Sequence, residues 1–334
     1  MQRECNELLP GVFVISLDFE LQYGIEDHDE AQIQKYHPNI LGARKAVKDI
    51  LFQFQQYGIH ATWAIVGMLL ARNRSDLAKY IPEKKPQYQD KKLSIYSFLN
   101  RIGKDEKDDP AHYGLSLAKA IRKVEGQEIA SHTFSHYYCC YPGQDGQDLQ
   151  SDMGAAQNIS EQNLGVKPTS VIFPRNQINT DYIPILKEMG FTAYRGWPSP
   201  SVYNTVDNGY WIRGRRLLDS YFSLYGAKAY PRSEVPEQGI ANIKASNFLR
   251  PYNRRLRFME KQKISQIRKG MLEAAVKKQV YHLWWHPHNF GAYREANLSN
   301  LDRILSYYCY LSMKYDFSSM NMGELAMQVL GQYI

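Results

Sequence analysis

Cysteine is scarce: four copies in 334 residues, Cys5, Cys139, Cys140 and Cys309. Their spacing is neither a disulfide framework nor a zinc knuckle. Neighbouring cysteines do not easily form a relaxed disulfide with each other. Free thiols are the simplest reading, and they favour a reducing compartment. Long apolar runs are also missing. The run at residues 12–17 stops at Asp18, far short of the roughly 20 residues that span a bilayer. Residues 1–10 lack a charged stretch followed by an apolar one, so no signal-peptide pattern is present and a cytoplasmic protein is expected. Internal repeats are absent. Neither charge nor hydrophobicity is extreme, at 22% charged and 44% apolar residues. That balance excludes a disordered chain, a collagen and a disulfide miniprotein. A chain of this length can bury a core that needs no metal or disulfide merely to fold.

What is present is uneven. The net charge is +7, yet residues 250–278 hold ten Lys/Arg against Glu260 and Glu273, a local net of +8. This stripe could meet a diphosphate or an anionic membrane, or could be an ordinary solvated helix face. No nucleic-acid module accompanies it, so no nucleic-acid partner is expected. Tyrosine is plentiful, at 25 copies, which suits sugar-binding grooves as well as half-buried packing.

Apolar, β-branched segments alternate with helical patterns. Strands are expected at 12–17, 61–66, 128–130, 170–173, 191–195, 281–285 and 317–320. Helices are expected from Pro38 to Gly58, at 67–80, 115–124, 148–164 and 181–189, around 264–271, at 296–314 and from 323 onward. Residues 82–112 are polar, and 198–251 are irregular and rich in Tyr, Gly and Pro. Such alternation indicates a parallel sheet with helices outside. About seven units suit a distorted (β/α)7-type barrel, read as one domain over residues 1–334 with insertions near 82–112 and 198–260.

Polar residues gather after these strands, where α/β barrels hold their active sites. Asp18 and Glu20 follow the first strand, two apart, so an extended backbone turns both to one side. His132 and His136 follow the third, and a helical turn would put both imidazoles on one face. Arg175 follows the fourth, and His286 and His288 follow the strand at 281–285. Two imidazoles and a carboxylate make a facial site for zinc or another divalent metal, which activates water near neutral pH. A second carboxylate beside it could act as general base, an Arg could hold that carboxylate ionised, and a further His could protonate a leaving group.

These pieces resemble the polysaccharide deacetylase family, the NodB-homology carbohydrate esterases. Ser16-Leu17-Asp18-Phe19-Glu20 is similar to the family's first motif. Ser131-His132-Thr133-Phe134-Ser135-His136 is similar to the second, Phe173-Pro174-Arg175 to the third and Leu283-Trp284-Trp285-His286 to the last. The resemblance implies His132 and His136 as metal ligands, Asp18 as general base, His286 as general acid and Arg175 as the residue orienting Asp18. The family's first motif has two adjacent Asp residues, whereas Phe19 separates the acids here. Glu20 is then the third ligand, or Asp18 ligates and the base is unassigned. Pro174 precedes Arg175 where the family has Pro after it. A further motif has its candidate around Arg195-Gly196-Trp197. Trp197, Trp284 and Trp285 are candidates to stack on a sugar, core packing being the alternative for one of the adjacent pair, and His288 is a second candidate beside His286. His37, His60, His112 and His282 have no companions legible in the sequence.

The implied activity is N-deacetylation of an acetamido sugar with one divalent ion, Zn2+, as cofactor. The expected substrate is a nucleotide- or lipid-linked sugar met in cytoplasmic steps of bacterial surface-polysaccharide assembly. Residues 250–278 could then face an anionic membrane. Hydrolysis of a different non-peptide C–N bond and a carbohydrate-binding pseudoenzyme are the alternatives.

Overall fold

The computed structural model describes residues 9–197 and 228–331 and, between them, 211, 214, 215, 219, 221 and 222. Much of the expected insertion at 198–260, including 198–210, lies outside the described residues. The described strands are β1 (Val12–Phe19), β2 (Ala61–Ile65), β3 (Gln127–Ser131), β4 (Ser170–Val171), β5 (Ala193–Tyr194), β6 (Pro236–Glu237), β7 (Ile240–Asn242), β8 (Asn247–Phe248), β9 (Val280–Trp285) and β10 (Ser318–Ser319). Their order is β6-β7-β5-β4-β3-β2-β1-β9-β8, with β10 beside β1. Every pairing is parallel except β6 with β7.

Strands β7 and β8 lie on one continuous segment. Its first half hydrogen-bonds to β5: Ala241 N–H donates to Thr192 O (2.8 Å) and Ile243 N–H to Tyr194 O (2.9 Å). Its second half bonds to β9: Ser246 N–H donates to His282 O and Leu249 N–H to Trp284 O, both at 2.8 Å. This segment joins the two ends of the sheet, so the curled sheet is of the expected (β/α)7 type. It also corrects the reading of 198–251 as irregular. Each pairing there is two or three residues long, too short for a period-2 pattern to register.

Alternation along the strands separates two faces. Phe13, Ile15, Leu17 and Phe19 of β1 and Tyr281, Leu283 and Trp285 of β9 join the large outer core under the helices. Val12, Val14, Ala64, Ala130, Ile172, Ala193, Ala241 and Val280 face inward and form a separate apolar cluster. The inward series on β1 continues as Ser16 and Asp18, and on β9 as His282 and Trp284. The barrel interior is therefore apolar at one end and polar at the C-terminal end of the strands.

Helices α1 (Glu30–Tyr57), α2 (Arg74–Ala78), α3 (Leu115–Arg122), α4 (Gly146–Leu164), α5 (Ile183–Glu188), α6 (Glu260–Lys277), α7 (Arg294–Tyr315) and α8 (Met322–Leu330) flank the sheet. Helix α1 begins well before the expected Pro38. Asp29 is its N-cap, its side chain accepting from Gln32 N–H, and Pro38 lies inside the helix. Burial of Ile33, Ile40, Val47, Ile50 and Phe54 outweighs the roughly 3 kcal/mol that an interior proline costs. The helix expected at 67–80 is split into a 3-10 turn (Gly67–Leu70) and α2, because Asn73 caps a new start.

Candidate active site

Asp18 ends the inward series of β1. It is buried, and both carboxylate oxygens accept from Arg195: Nη1 to Oδ1 and Nη2 to Oδ2, each at 2.7 Å. Arg195 follows β5 and also donates to Ser16 Oγ (3.0 Å) and, from Nε, to Asn176 Oδ1 (3.0 Å). The indole of Trp284 lies against its guanidinium at 4.2 Å. Burial alone would raise the Asp18 pKa. The Arg195 charge, with His132 and His286, outweighs it and holds the carboxyl below its ordinary value.

This corrects the expected orienting residue. Arg175 does not contact Asp18; it pairs with Asp27 and lies over the Tyr138 ring at 4.7 Å. Its turn has two successive residues at positive φ, Arg175 and Asn176 (both 52°). That backbone sends Asn176 toward Arg195 and leaves Arg175 at the rim. The signal for Arg195 was its place at the end of a predicted strand.

Glu20 stands at the N-cap position of the 3-10 turn Leu21–Gly24, its side chain making no cap hydrogen bond. Its Oε2 lies 3.2 Å from His132 Nε2 and 3.1 Å from His136 Nε2. A Cβ at Gly24 would fall 2.1 Å from Glu20 Oε1, so the missing side chain there is what lets the carboxylate fold over its own turn. The two histidines converge without a helix. Thr133 and His136 adopt positive φ (64° and 54°). Asp152 of α4 braces the loop by accepting from Phe134 N–H (2.7 Å) and Ser135 N–H (3.1 Å). The loop carbonyls of Thr133 and Phe134 accept from Gly67 and Met68 N–H.

The donor chemistry fits a cation. His132 Nδ1 faces the Ile172 carbonyl at 2.8 Å. A carbonyl only accepts, so Nδ1 carries the hydrogen and a neutral His132 turns its Nε2 lone pair toward Glu20. Such a backbone bond also orients a metal-ligating imidazole. Burial pushes the His136 pKa down, favouring the neutral ring. Burial opposes ionisation of Glu20, yet its pKa lies well below the ordinary carboxylate value, the facing His286 being the first of the groups that lower it. Ligand atoms of Glu20, His132 and His136 all lie within 4.8 Å of one another. These are the three residues expected, and Glu20 rather than Asp18 completes the set.

His286 stands opposite. Its Nε2 is 3.4 Å from Glu20 Oε1 and 3.8 Å from Asp18 Oδ2, and its side chain is partly exposed. His288 stacks behind it at 4.9 Å and is buried. Burial and the neighbouring His286 lower its pKa to about 3, so it is a neutral platform for His286 and does not line an opening for substrate. Trp285, expected at the substrate, is on the outer face, packed on Phe54 and Phe290. Strand alternation sends Trp284 inward, edge-on to His286 at 5.6 Å. Trp197 is half-buried and donates its indole N–H to the Asn176 carbonyl, which keeps it at the rim beside Arg195. Three histidines without legible companions have them in space. His282 meets Ser16 Oγ (2.8 Å), His60 meets Glu324 (2.7 Å) and His112 lies between Glu26 (2.9 Å) and Asp109 (2.7 Å).

Residues 41–194 match the family model described as polysaccharide deacetylase. That span holds His132, His136 and Arg175, and the fold brings Asp18, Glu20, Arg195 and His286 to it from outside. No curated protein matches the chain in sequence. Among solved structures, a Mycobacterium smegmatis protein assigned by name to the polysaccharide deacetylases is 14% identical, with a TM-score of 0.57 over 97% of this chain and 92% of that one. A Pseudomonas aeruginosa PAO1 protein so assigned is 12% identical, with a TM-score of 0.53 over 96% and 91%. A 4-alpha-glucanotransferase from Thermococcus litoralis is 11% identical, with a TM-score of 0.52 over 95% of this chain and 40% of that one. At these identities the likenesses speak for the fold. Family match and fold agree with the motifs read in the sequence: over residues 41–194 the chain is similar to the polysaccharide deacetylases.

Proposed function

We propose that the chain is a metal-dependent hydrolase that removes the N-acetyl group from an acetamido sugar. The observation that carries this reading is the convergence of Glu20, His132 and His136 beside an Arg195-held Asp18 and a facing His286. A divalent ion, Zn2+ in this reading, would be held by Glu20, His132 and His136 and would supply Lewis-acid polarisation. Asp18 takes a proton from the attacking water. Arg195 keeps Asp18 ionised and aimed, both oxygens gripped at 2.7 Å. His286 delivers a proton to the departing nitrogen, and its partial exposure puts it on the side that a substrate reaches. Water and amide become acetate and a free amine. The match over residues 41–194 supports this choice over other chemistry on the same fold.

The substrate in this reading is a nucleotide- or lipid-linked sugar in cytoplasmic steps of bacterial surface-polysaccharide assembly. The free thiols of Cys139, Cys140 and Cys309 support a reducing compartment. The test is acetate release from acetamido sugars by protein supplied with zinc and by protein stripped with chelator. Release that needs metal and disappears in Asp18→Asn is expected. Release that survives stripping contradicts the metal dependence. Sugar binding without release, unchanged in Asp18→Asn, would make the chain a binding protein.

A further inference from the structure

The basic stripe at 250–278 divides in two. One part is structural. Lys263 is buried against Glu260 (2.7 Å) and the Arg250 carbonyl (2.9 Å). Arg268 lies over Tyr307 at 5.0 Å and donates to the Arg303 carbonyl. Lys277 pairs with Glu273 at 2.6 Å. The other part is a 3-10 turn, Arg254–Met259, in which no residue is buried. Arg254, Arg255 and Arg257 are exposed there, as is Lys261 after it. Among the described residues none of these four cations has a carboxylate partner. Phe258 stands among them 77% exposed, and Tyr293, which meets Tyr252 just before this turn, is 55% exposed.

This face adjoins the site. Phe248 packs on Trp284 (4.7 Å) and His286 (5.9 Å), and only residues 249–253 separate it from Arg254. Tyr252 ties the turn down: its N–H donates to Asn297 Oδ1 (2.6 Å), and its ring meets Tyr293 edge-on at 5.5 Å. Tyr293 follows the turn Pro287–Phe290, which follows His286. No helix among the described residues is long and apolar enough to cross a membrane.

We propose that Arg254, Arg255, Arg257, Lys261, Phe258 and Tyr293 form a docking face for an anionic lipid surface, set beside the His286 side of the site. Unpaired cations interleaved with exposed aromatic rings fit a bilayer interface, where the cations meet lipid phosphates and the rings enter the headgroup layer. A soluble polyanion alone would leave Phe258 in water. Docking does not depend on the deacetylase reading, since sedimentation reports the first and acetate release the second.

The experiment is sedimentation of the full chain with vesicles of phosphatidylcholine alone and with about 30% phosphatidylglycerol, at about 0.1 M salt. Binding to the anionic vesicles only is expected. Arg254→Gln/Arg255→Gln/Arg257→Gln should weaken it roughly 100-fold. Phe258→Ser, which leaves the charge unchanged, should weaken it roughly tenfold. Lys91→Gln/Lys92→Gln, a pair of exposed cations elsewhere, should retain binding. The proposal is overturned if anionic vesicles leave the wild type in solution, if the Lys91/Lys92 variant loses as much as the arginine variant, or if the chain binds RNA and not vesicles. Acetate release from a soluble acetamido sugar should be unchanged in the Phe258 and arginine variants, which separates lost docking from a lost site.

Discussion

Two arginines competed for one carboxylate, and the backbone decided between them. Arg175 sits where the family resemblance puts the orienting residue, but its left-handed turn leaves it at the rim with Asp27. Arg195 ends β5 pointing inward and takes Asp18 with two nitrogens. Removing one partner of a buried pair strands a charge. Arg195→Ala should therefore cost about 3–5 kcal/mol of stability and lower acetate release on the order of 100-fold. Arg195→Lys keeps the charge without the fork and should fall between. Arg175→Ala breaks a partly exposed pair, so less than about 1 kcal/mol is expected, with acetate release within several-fold of wild type. Urea unfolding and acetate assays read both effects. Equal damage from the two alanine variants would contradict the assignment. The sequence named the right residue types but could not rank the two arginines, because neither strand-end position reveals its φ. The choice between Trp284 and Trp285 was legible in principle. Residues 280, 282 and 284 share a face with His286, and Trp285 is out of phase with them.

At the scale of elements, the sequence revealed what is long and missed what is short. Strands β1, β2 and β9 carry apolar runs that stand out, and Gly58 closes α1 in the left-handed conformation (φ 59°) as expected. The segment that joins β5 to β9 was invisible, since its pairing is split between two partners. A helical turn would have put His132 and His136 on one face, but the loop that carries them is not helical. Its true shape rests on Asp152, a carboxylate 16 residues beyond His136 whose role no local pattern shows. The polar insertion at 82–112 also has a task. Its His112 is held between Asp109 and Glu26, clamping the insertion to the segment just after Glu20. Burial opposes protonation of His112, but hydrogen bonds to Asp109 and Glu26 win and push its pKa up from 6.5 to about 9. A raised folded-state pKa means that the folded protein holds this proton more tightly than the unfolded chain. The stabilisation is complete below about pH 6.5 and disappears as pH rises through about 9. The free energy of urea unfolding should thus fall between about pH 6.5 and 9.5 in wild type and fall much less in His112→Gln. Equal slopes in the two proteins would show that the clamp is not charged.

At the scale of the whole molecule, the fold explains where the site is and the residues explain what it can do. A 4-alpha-glucanotransferase reaches a TM-score of 0.52 on this chain, so the fold alone does not choose the chemistry. The choice rests on an inward series that turns from Val12 and Val14 to Ser16 and Asp18, and on Glu20, His132 and His136 meeting above it. Glu20 lies 112 residues before His132, yet the acid and the histidine pair each follow a strand that the apolar pattern had already located. That is why the candidate ligands were legible; Arg195 also ends such a strand, but Arg175 follows another, and position alone did not rank the two. The most direct test of the account is metal content by mass spectrometry, on wild type beside His132→Ala/His136→Ala, after zinc is supplied and excess removed. About one ion per wild-type chain, lost in the double variant while the fold persists by circular dichroism, is the expected result. A wild type that holds no ion, or a double variant that keeps it, would contradict the Glu20–His132–His136 centre.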